Sequence, residues 1–296
     1  MLTSVALFAA LSMTPAQAGG MTLSNPRITY GELGSARPDN KLLPGDIFFL
    51  SFDIDGIKVN AEGRVKYGMA MEVTDSSNKS IFKQMPVERE DFLPLGGTKL
   101  PARAFVSVGA DQPAGTYTCK VTVSDLSDKD KSVSKTIEQK FEVTPKGFGI
   151  VQLYTSADAE GKIPAPLVGV AGQSMFVHFA VIGFERETGA KPKEAKTGET
   201  GPKAKSAGAK QPNITIEMVV WGQDRQPTLP KPTVKQVPDE ADGFVDEKVI
   251  GVPMRFLVPL NREGGFLIEL KATDNVTGKS AKVYLPLKVF PAGSKD

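Results

Sequence analysis

The chain has 296 residues, of which 40% are apolar and 24% charged, and its 36 Lys and Arg against 34 Asp and Glu leave a formal net charge of +2. That length exceeds what one core ordinarily organises and suits two domains, and the apolar content can offset the ordering entropy of most of the chain. The charges are interspersed with little net excess, so the concentrated basic face that a nucleic-acid partner needs is missing.

Residues 1–18 carry no charged side chain. A short apolar run at 5–11 is followed by Pro15 and Ala16-Gln17-Ala18 before Gly19-Gly20, the pattern of a signal peptide. No Lys or Arg precedes the run, which leaves only the α-amino group as the positive end and allows a start codon upstream. The run is far shorter than the roughly 20 residues of a membrane span, and no later stretch approaches that length. The expectation is a soluble exported protein, periplasmic or extracellular. The single cysteine, Cys119, cannot form an internal disulfide, so stability must come from packing. No Cys stands at the cleavage site, so no lipid anchor is expected there.

Strand signals follow. Val65, Tyr67, Met69, Met71 and Val73 alternate with Lys66, Gly68, Ala70 and Glu72, the period of a half-buried strand. Similar runs lie at 46–54, 102–108, 116–124 and 132–143, separated by turn clusters such as Asp75-Ser76-Ser77-Asn78. Short strands at this spacing argue for an all-β sandwich. The second half repeats the scheme in order: 44–57 lines up with 171–184 (Gly45 on Gly172, Phe52 on Phe179), Pro101-Ala102-Arg103 with Pro253-Met254-Arg255, and 115–125 with 264–274. Between the first and last blocks the offset grows, and the growth falls on 185–211, a run of mainly Lys, Glu, Gly, Ala, Thr and Pro with no aromatic residue. It reads as a disordered insertion. The fold expected is two tandem antiparallel β-sandwiches: module one at about 24–144, a connector at 145–147, and module two at about 148–291.

Gly115-x-Tyr117-x-Cys119-x-Val121 resembles the sixth strand of immunoglobulin-like domains, where a tyrosine two residues before a cysteine forms a corner. The chain departs from true immunoglobulin domains in having no second cysteine, no tryptophan in the third strand, and Pro113 where an acidic residue is usual. It is therefore similar to bacterial Ig-like and fibronectin type III-like modules. With its duplication and Lys-Ala-Gly insertion, it is also similar to secreted proteins of envelope-complex bacteria such as planctomycetes. The resemblance implies spacers, adhesion units or binding modules rather than enzymes.

Each chemically suggestive residue has a structural alternative. Cys119 could be a reactive thiol, but it lines up with Ile268 and shares a face with Tyr117, Val121 and Val123, so a buried apolar role is expected. His178 is the only histidine; alternation places Met175, Val177, Phe179 and Val181 toward the core and His178 on the other face, a surface position. Asp53-Ile54-Asp55-Gly56 has part of a calcium loop, but no third ligand follows and module two has Ala180 and Ile182 there, so a hairpin turn is expected. Two acidic stretches, Asp239 to Glu247 and Asp125 with Asp128 and Asp130, read as solvated loops that could gather calcium. Arg186, Lys191, Lys193, Lys196, Lys203, Lys205 and Lys210 outnumber the acids of the insertion without the aromatics that stack bases. Trp221, the single tryptophan, would be a carbohydrate platform if exposed and core beside Val219 if not. Asn78, Asn213 and Asn275 begin glycosylation sequons.

Phosphate loops, paired cysteines and metal-spaced histidines are missing. No catalytic, cofactor-binding or metal-binding residues are singled out, and no cofactor is implied. The reading is a non-enzymatic exported protein acting on a protein or cell-envelope polymer as an interaction or scaffold module. The alternative is a carbohydrate- or calcium-binding accessory module.

Overall fold

The computed structural model describes residues 20–127, 132–188, 210–238 and 245–293; the segment read as a signal peptide lies outside them. The described residues are strands and connections without a helix. The first half forms β1 (Thr22–Ile28), β2 (Lys41–Leu42), β3 (Ile47–Asp55), β4 (Arg64–Thr74), β5 (Ser80–Phe92), β6 (Lys99–Ser107), β7 (Gly115–Asp125) and β8 (Val133–Val143). The second forms β9 (Gly149–Ser156), β10 (Val168–Val170), β11 (Ser174–Ile182), β12 (Arg186–Thr188), β13 (Lys210–Pro212), β14 (Ile214–Trp221), β15 (Thr233–Val237), β16 (Gly251–Pro259), β17 (Gly264–Asp274) and β18 (Ser280–Phe290).

In the first half a three-stranded sheet, β1-β3-β6, faces a five-stranded one, β2-β8-β7-β4-β5. The second half has the same plan, β9-β11-β16 facing β10-β18-β17-β14-β15. The pairings are antiparallel apart from β2 with β8 and β10 with β18. With the short β2, β10, β12 and β13 set aside, each half places its first, second and fifth strands against its third, fourth, sixth and seventh, the order of an Ig-like sandwich, and the chain is two of them in tandem.

The alternation builds the cores. On β3, Phe48, Leu50, Phe52 and Ile54 point inward and are at most 1% exposed; on β11, Met175, Val177, Phe179 and Val181 do the same, at 3% or less. Each such side chain contributes about 1.5–3 kcal/mol relative to exposure. The inward residues expected on β4, Val65 to Val73, are all in the first core. Registers repeat as well: Val73 lies opposite Cys119 as Val220 lies opposite Ile268, and Phe49 opposite Phe105 as Phe176 lies opposite Leu257. Even the left-handed glycines recur, with φ of 96° at Gly45 and 98° at Gly172.

The ends of the segment read as a disordered insertion are ordered. β12 and β13 pair antiparallel, and the Arg186 guanidinium donates to the carbonyls of Val245, Asp246 and Val249 at 2.9–3.2 Å. A cation that satisfies three carbonyls fixes the stem of the insertion where composition alone suggested a loop. Residues 189–209 lie outside the described part.

The two sandwiches meet at Asp46, 2% exposed. Its Oδ2 accepts from Arg37 at 2.9 Å, and its Oδ1 accepts the backbone N–H of Ile47 at 2.9 Å and of Gln152, from the second sandwich, at 2.8 Å. Gln152 Nε2 returns a bond to the Gly45 carbonyl at 2.8 Å. The Arg37 guanidinium lies 4.7 Å over the ring of Tyr30, which packs in the second core.

Candidate functional site

Cys119 is fully buried in the first core and Ile268 in the second. Burial pushes the Cys119 thiol up to about 12, so it has no thiolate character at neutral pH. Two residues earlier, the Tyr117 hydroxyl donates to the Pro113 carbonyl at 2.8 Å and accepts from Gln112 Nε2 at 2.8 Å. The tyrosine corner is therefore formed, and Pro113 in place of an acidic residue does not prevent it.

His178 is not at the surface. It lies on the outward face as the alternation requires, but it is only 8% exposed, because Tyr154 stacks on the imidazole at 4.7 Å and 8° and the turn after β9 closes over it. Ser156 Oγ is 2.7 Å from His178 Nε2, a spacing that invites a serine–histidine reading. The geometry opposes it. Ser156 is 0% exposed and its Oγ donates to the Asp158 carbonyl at 2.6 Å, so its remaining bond accepts a proton from the imidazole. The equivalent pair in the first sandwich is Thr29 and Ser51, 3.2 Å apart, with Thr29 Oγ1 donating to the Gly31 carbonyl. The imidazole is thus a larger member of a repeated structural pair. Burial is the main influence holding its pKa below the ordinary value, with the Arg255 cation acting in the same direction.

Asp53 and Asp55 are strand residues on the outer face of β3 rather than a hairpin turn. Lys99 Nζ lies 2.9 Å from Asp53 and 3.8 Å from Asp55, so an ammonium sits where a metal ion would have to. Hydrogen bonding from Asn25, with that from Lys99, holds the Asp53 carboxyl low against the opposing effect of burial. Asp125 is 6% exposed and accepts the backbone N–H groups of Lys58 and Ser127. Its repeat partner Asp274, 0% exposed, accepts those of Glu185 and Val276. Burial raises the Asp274 pKa, but the bonds from Thr277 and the backbone prevail and lower it. Both aspartates pin the connection that follows β3 or β11 in their sandwich. Asp128, Asp130, Asp239, Glu240 and Asp242 lie outside the described residues, and among the described ones no three His, Cys, Asp or Glu converge on a metal position.

Trp221 belongs to neither core nor an open platform. It is half-buried on the outer face of β14, and its Nε1 donates to Glu269 at 3.0 Å. Of the sequon residues, Asn275 donates to Asn213 Oδ1 and to Thr215, while Asn78 stands in a turn at φ 62°.

Sequence reasoning missed the open flank of each sandwich. A five-stranded sheet facing a three-stranded one leaves its last strand uncovered, because among the described residues no fourth strand lies beside β6 or β16. All along β5 the residues are exposed or half-buried. Phe82 and Val87, which pair with inward Val73 and Met69, are 37% and 43% exposed. A cavity of about 260 Å³ lies between Phe82, Val106 and Tyr117. The second sandwich has two cavities on its corresponding flank, of about 490 Å³ and 480 Å³. There, Lys235 Nζ donates to the Arg255 carbonyl on β16 at 2.9 Å. The signal available in sequence was the length and apolar content of 80–92 on both faces.

No family model matches the chain, and no curated protein matches it. Among solved structures it is similar to the C-terminal domain of the AgI/II polypeptide BspA of Streptococcus agalactiae, at 10% identity over 90% of this chain and 100% of that one, with a TM-score of 0.26. It is also similar to the adhesin InvE of Yersinia pseudotuberculosis, at 13% identity over 84% of this chain and 57% of that one, with a TM-score of 0.22. At such TM-scores neither likeness carries a functional argument.

Proposed function

We propose that the chain is an exported, non-catalytic binding protein, two Ig-like modules at about 24–144 and 148–291, which accepts an extended polypeptide strand beside β6. The observation that supports this is the uncovered inward face of β5 opposite the free edge of β6. An unpaired edge is a template for another strand. β5 is itself guarded by Lys83, by Pro86 and by a register shift between Met69 and Met71, whereas the cations of β6, Lys99 and Arg103, are engaged by Asp53 and Glu32 and its single proline, Pro101, stands near its start. On β16 one acceptor is already taken by Lys235. A strand added to β6 would meet Phe82 and Val87 with its own inward side chains, which selects alternating apolar residues.

The carbohydrate reading needs an open aromatic platform, and Trp221 is committed to Glu269. The calcium reading needs converging carboxylates, and Asp53 and Asp55 converge on Lys99. The test is selection of phage-displayed random peptides on the mature protein. The reading requires enrichment of alternating apolar sequences whose binding is lost in Phe82→Asp/Val87→Asp; enrichment indifferent to that double substitution, or none, overturns it.

A further inference from the structure

The second sandwich carries a preformed cavity about twice the volume of its counterpart in the first. It measures about 490 Å³ against about 260 Å³ at the equivalent place, within the ~300–1,000 Å³ range of small-ligand sites. In the first sandwich the hydroxyl of Tyr117 is tied to Pro113 and Gln112, which holds the ring down, 4% exposed. The second has Phe266, which lacks that tether, and its half-buried ring lies against the backbone of Gly264 instead. The floor is core: Met218, Val258 and Leu287 line it. One wall is the segment around Leu229, which is stiffened by Pro227, Pro230 and Pro232 and held by Thr228 N–H to the Val220 carbonyl at 2.8 Å. A wall with so few free dihedrals costs little entropy to occupy.

The charges at this cavity have one sign. Its lining includes Lys231 and Arg262 and no Asp or Glu. Neither cation makes an ion pair among the described residues, and the Arg262 guanidinium lies 5.3 Å over the Phe266 ring. Leu229 and Leu257 keep apolar side chains at the mouth, 60% and 51% exposed. An apolar floor with cations at the rim is complementary to an apolar chain that ends in an anion.

We propose that this cavity binds an amphipathic carboxylate of fatty-acid type, with its tail on Met218, Val258 and Leu287 and its head between Lys231 and Arg262. The site is independent of the β6 edge, in the other module, and stands or falls separately.

Isothermal titration of the mature protein with dodecanoate, dodecanol and dodecyltrimethylammonium tests it. Dodecanoate should bind at least about tenfold more tightly than dodecanol, a difference of ~1.4 kcal/mol, and dodecyltrimethylammonium more weakly still. Lys231→Gln/Arg262→Gln should remove that tenfold preference and leave dodecanol binding unchanged. Leu229→Asp, which places a carboxylate at the mouth, should abolish dodecanoate binding. All three positions are exposed, so thermal unfolding of the variants should match the parent. No binding, equal affinity for the three amphiphiles, or dodecanoate binding unchanged in Leu229→Asp overturns the proposal.

Discussion

Four buried residues set the chemistry that can be measured one side chain at a time. Cys119 should resist iodoacetamide in the native protein at pH 8 and react completely in guanidinium chloride. Folding raises its thiol from an ordinary 9.0 to about 12, and burial with the bond to Asp91 raises the Tyr67 phenol to about 12. Groups whose pKa is raised on folding contribute stability that is full below their unfolded values and lost as pH climbs through the folded ones. Denaturant midpoints should therefore fall between about pH 9 and 12, and Cys119→Val should weaken the early part of that fall at a cost below ~1.5 kcal/mol. Tyr117→Phe removes the corner hydroxyl and should destabilise the first sandwich by about 1–2 kcal/mol, with Pro113 left without its donor. His178 runs the other way. Its pKa is depressed from 6.5, so its contribution is present above that pH and lost as pH falls through the lower folded value. His178→Ser, which copies Ser51, should remove that acid sensitivity in a thermal scan across pH 5 to 7. Cys119's place was legible from alternation and from Ile268. That His178 would be buried was not, because alternation assigns a face, and only Tyr154 and the turn after β9 decide whether that face is covered.

Among elements, the strands were legible because β-branched and aromatic residues alternate over lengths that only a pleated sheet can pair. Short elements escaped that logic. β12 and β13 are three residues each, too short for any period, and are held by the bonds of Arg186 and Gln211 to the segment at Val245. Arg186→Ala should speed hydrogen exchange of the β12 and β13 amides, with the unfolding midpoint of the whole chain nearly unchanged. β5 was not singled out by alternation either, and that it is uncovered depends on how many strands the opposite sheet contains.

At the scale of the molecule the junction rests on Asp46, whose two oxygens gather an arginine, its own neighbour and the backbone of Gln152. Removing one partner of a buried ion pair leaves the other uncompensated, at a cost of about 3–5 kcal/mol. Asp46→Ala should accordingly broaden the pair-distance distribution in small-angle X-ray scattering as the modules lose their fixed relation. An unchanged distribution would show that Tyr30 and the contacts around Gly45 suffice to hold it. A second constraint lies at Gly183, whose φ is 68° and where a Cβ would overlap the Gly147 carbonyl. The connector can pass there only over a residue without a side chain.

The sequence by itself determined what is local or periodic: the all-β class, the duplication with its matched glycines, the inward residues of β4 and β11, and the corner at Tyr117. These follow from alternation and turn chemistry, which act over a few residues. The tertiary structure decided what each surface meets, from the roof over His178 and the ammonium between Asp53 and Asp55 to the junction at Asp46 and the open flank beside β6. Those depend on groups brought together from distant parts of the chain, and on one sheet having fewer strands than the sheet it faces.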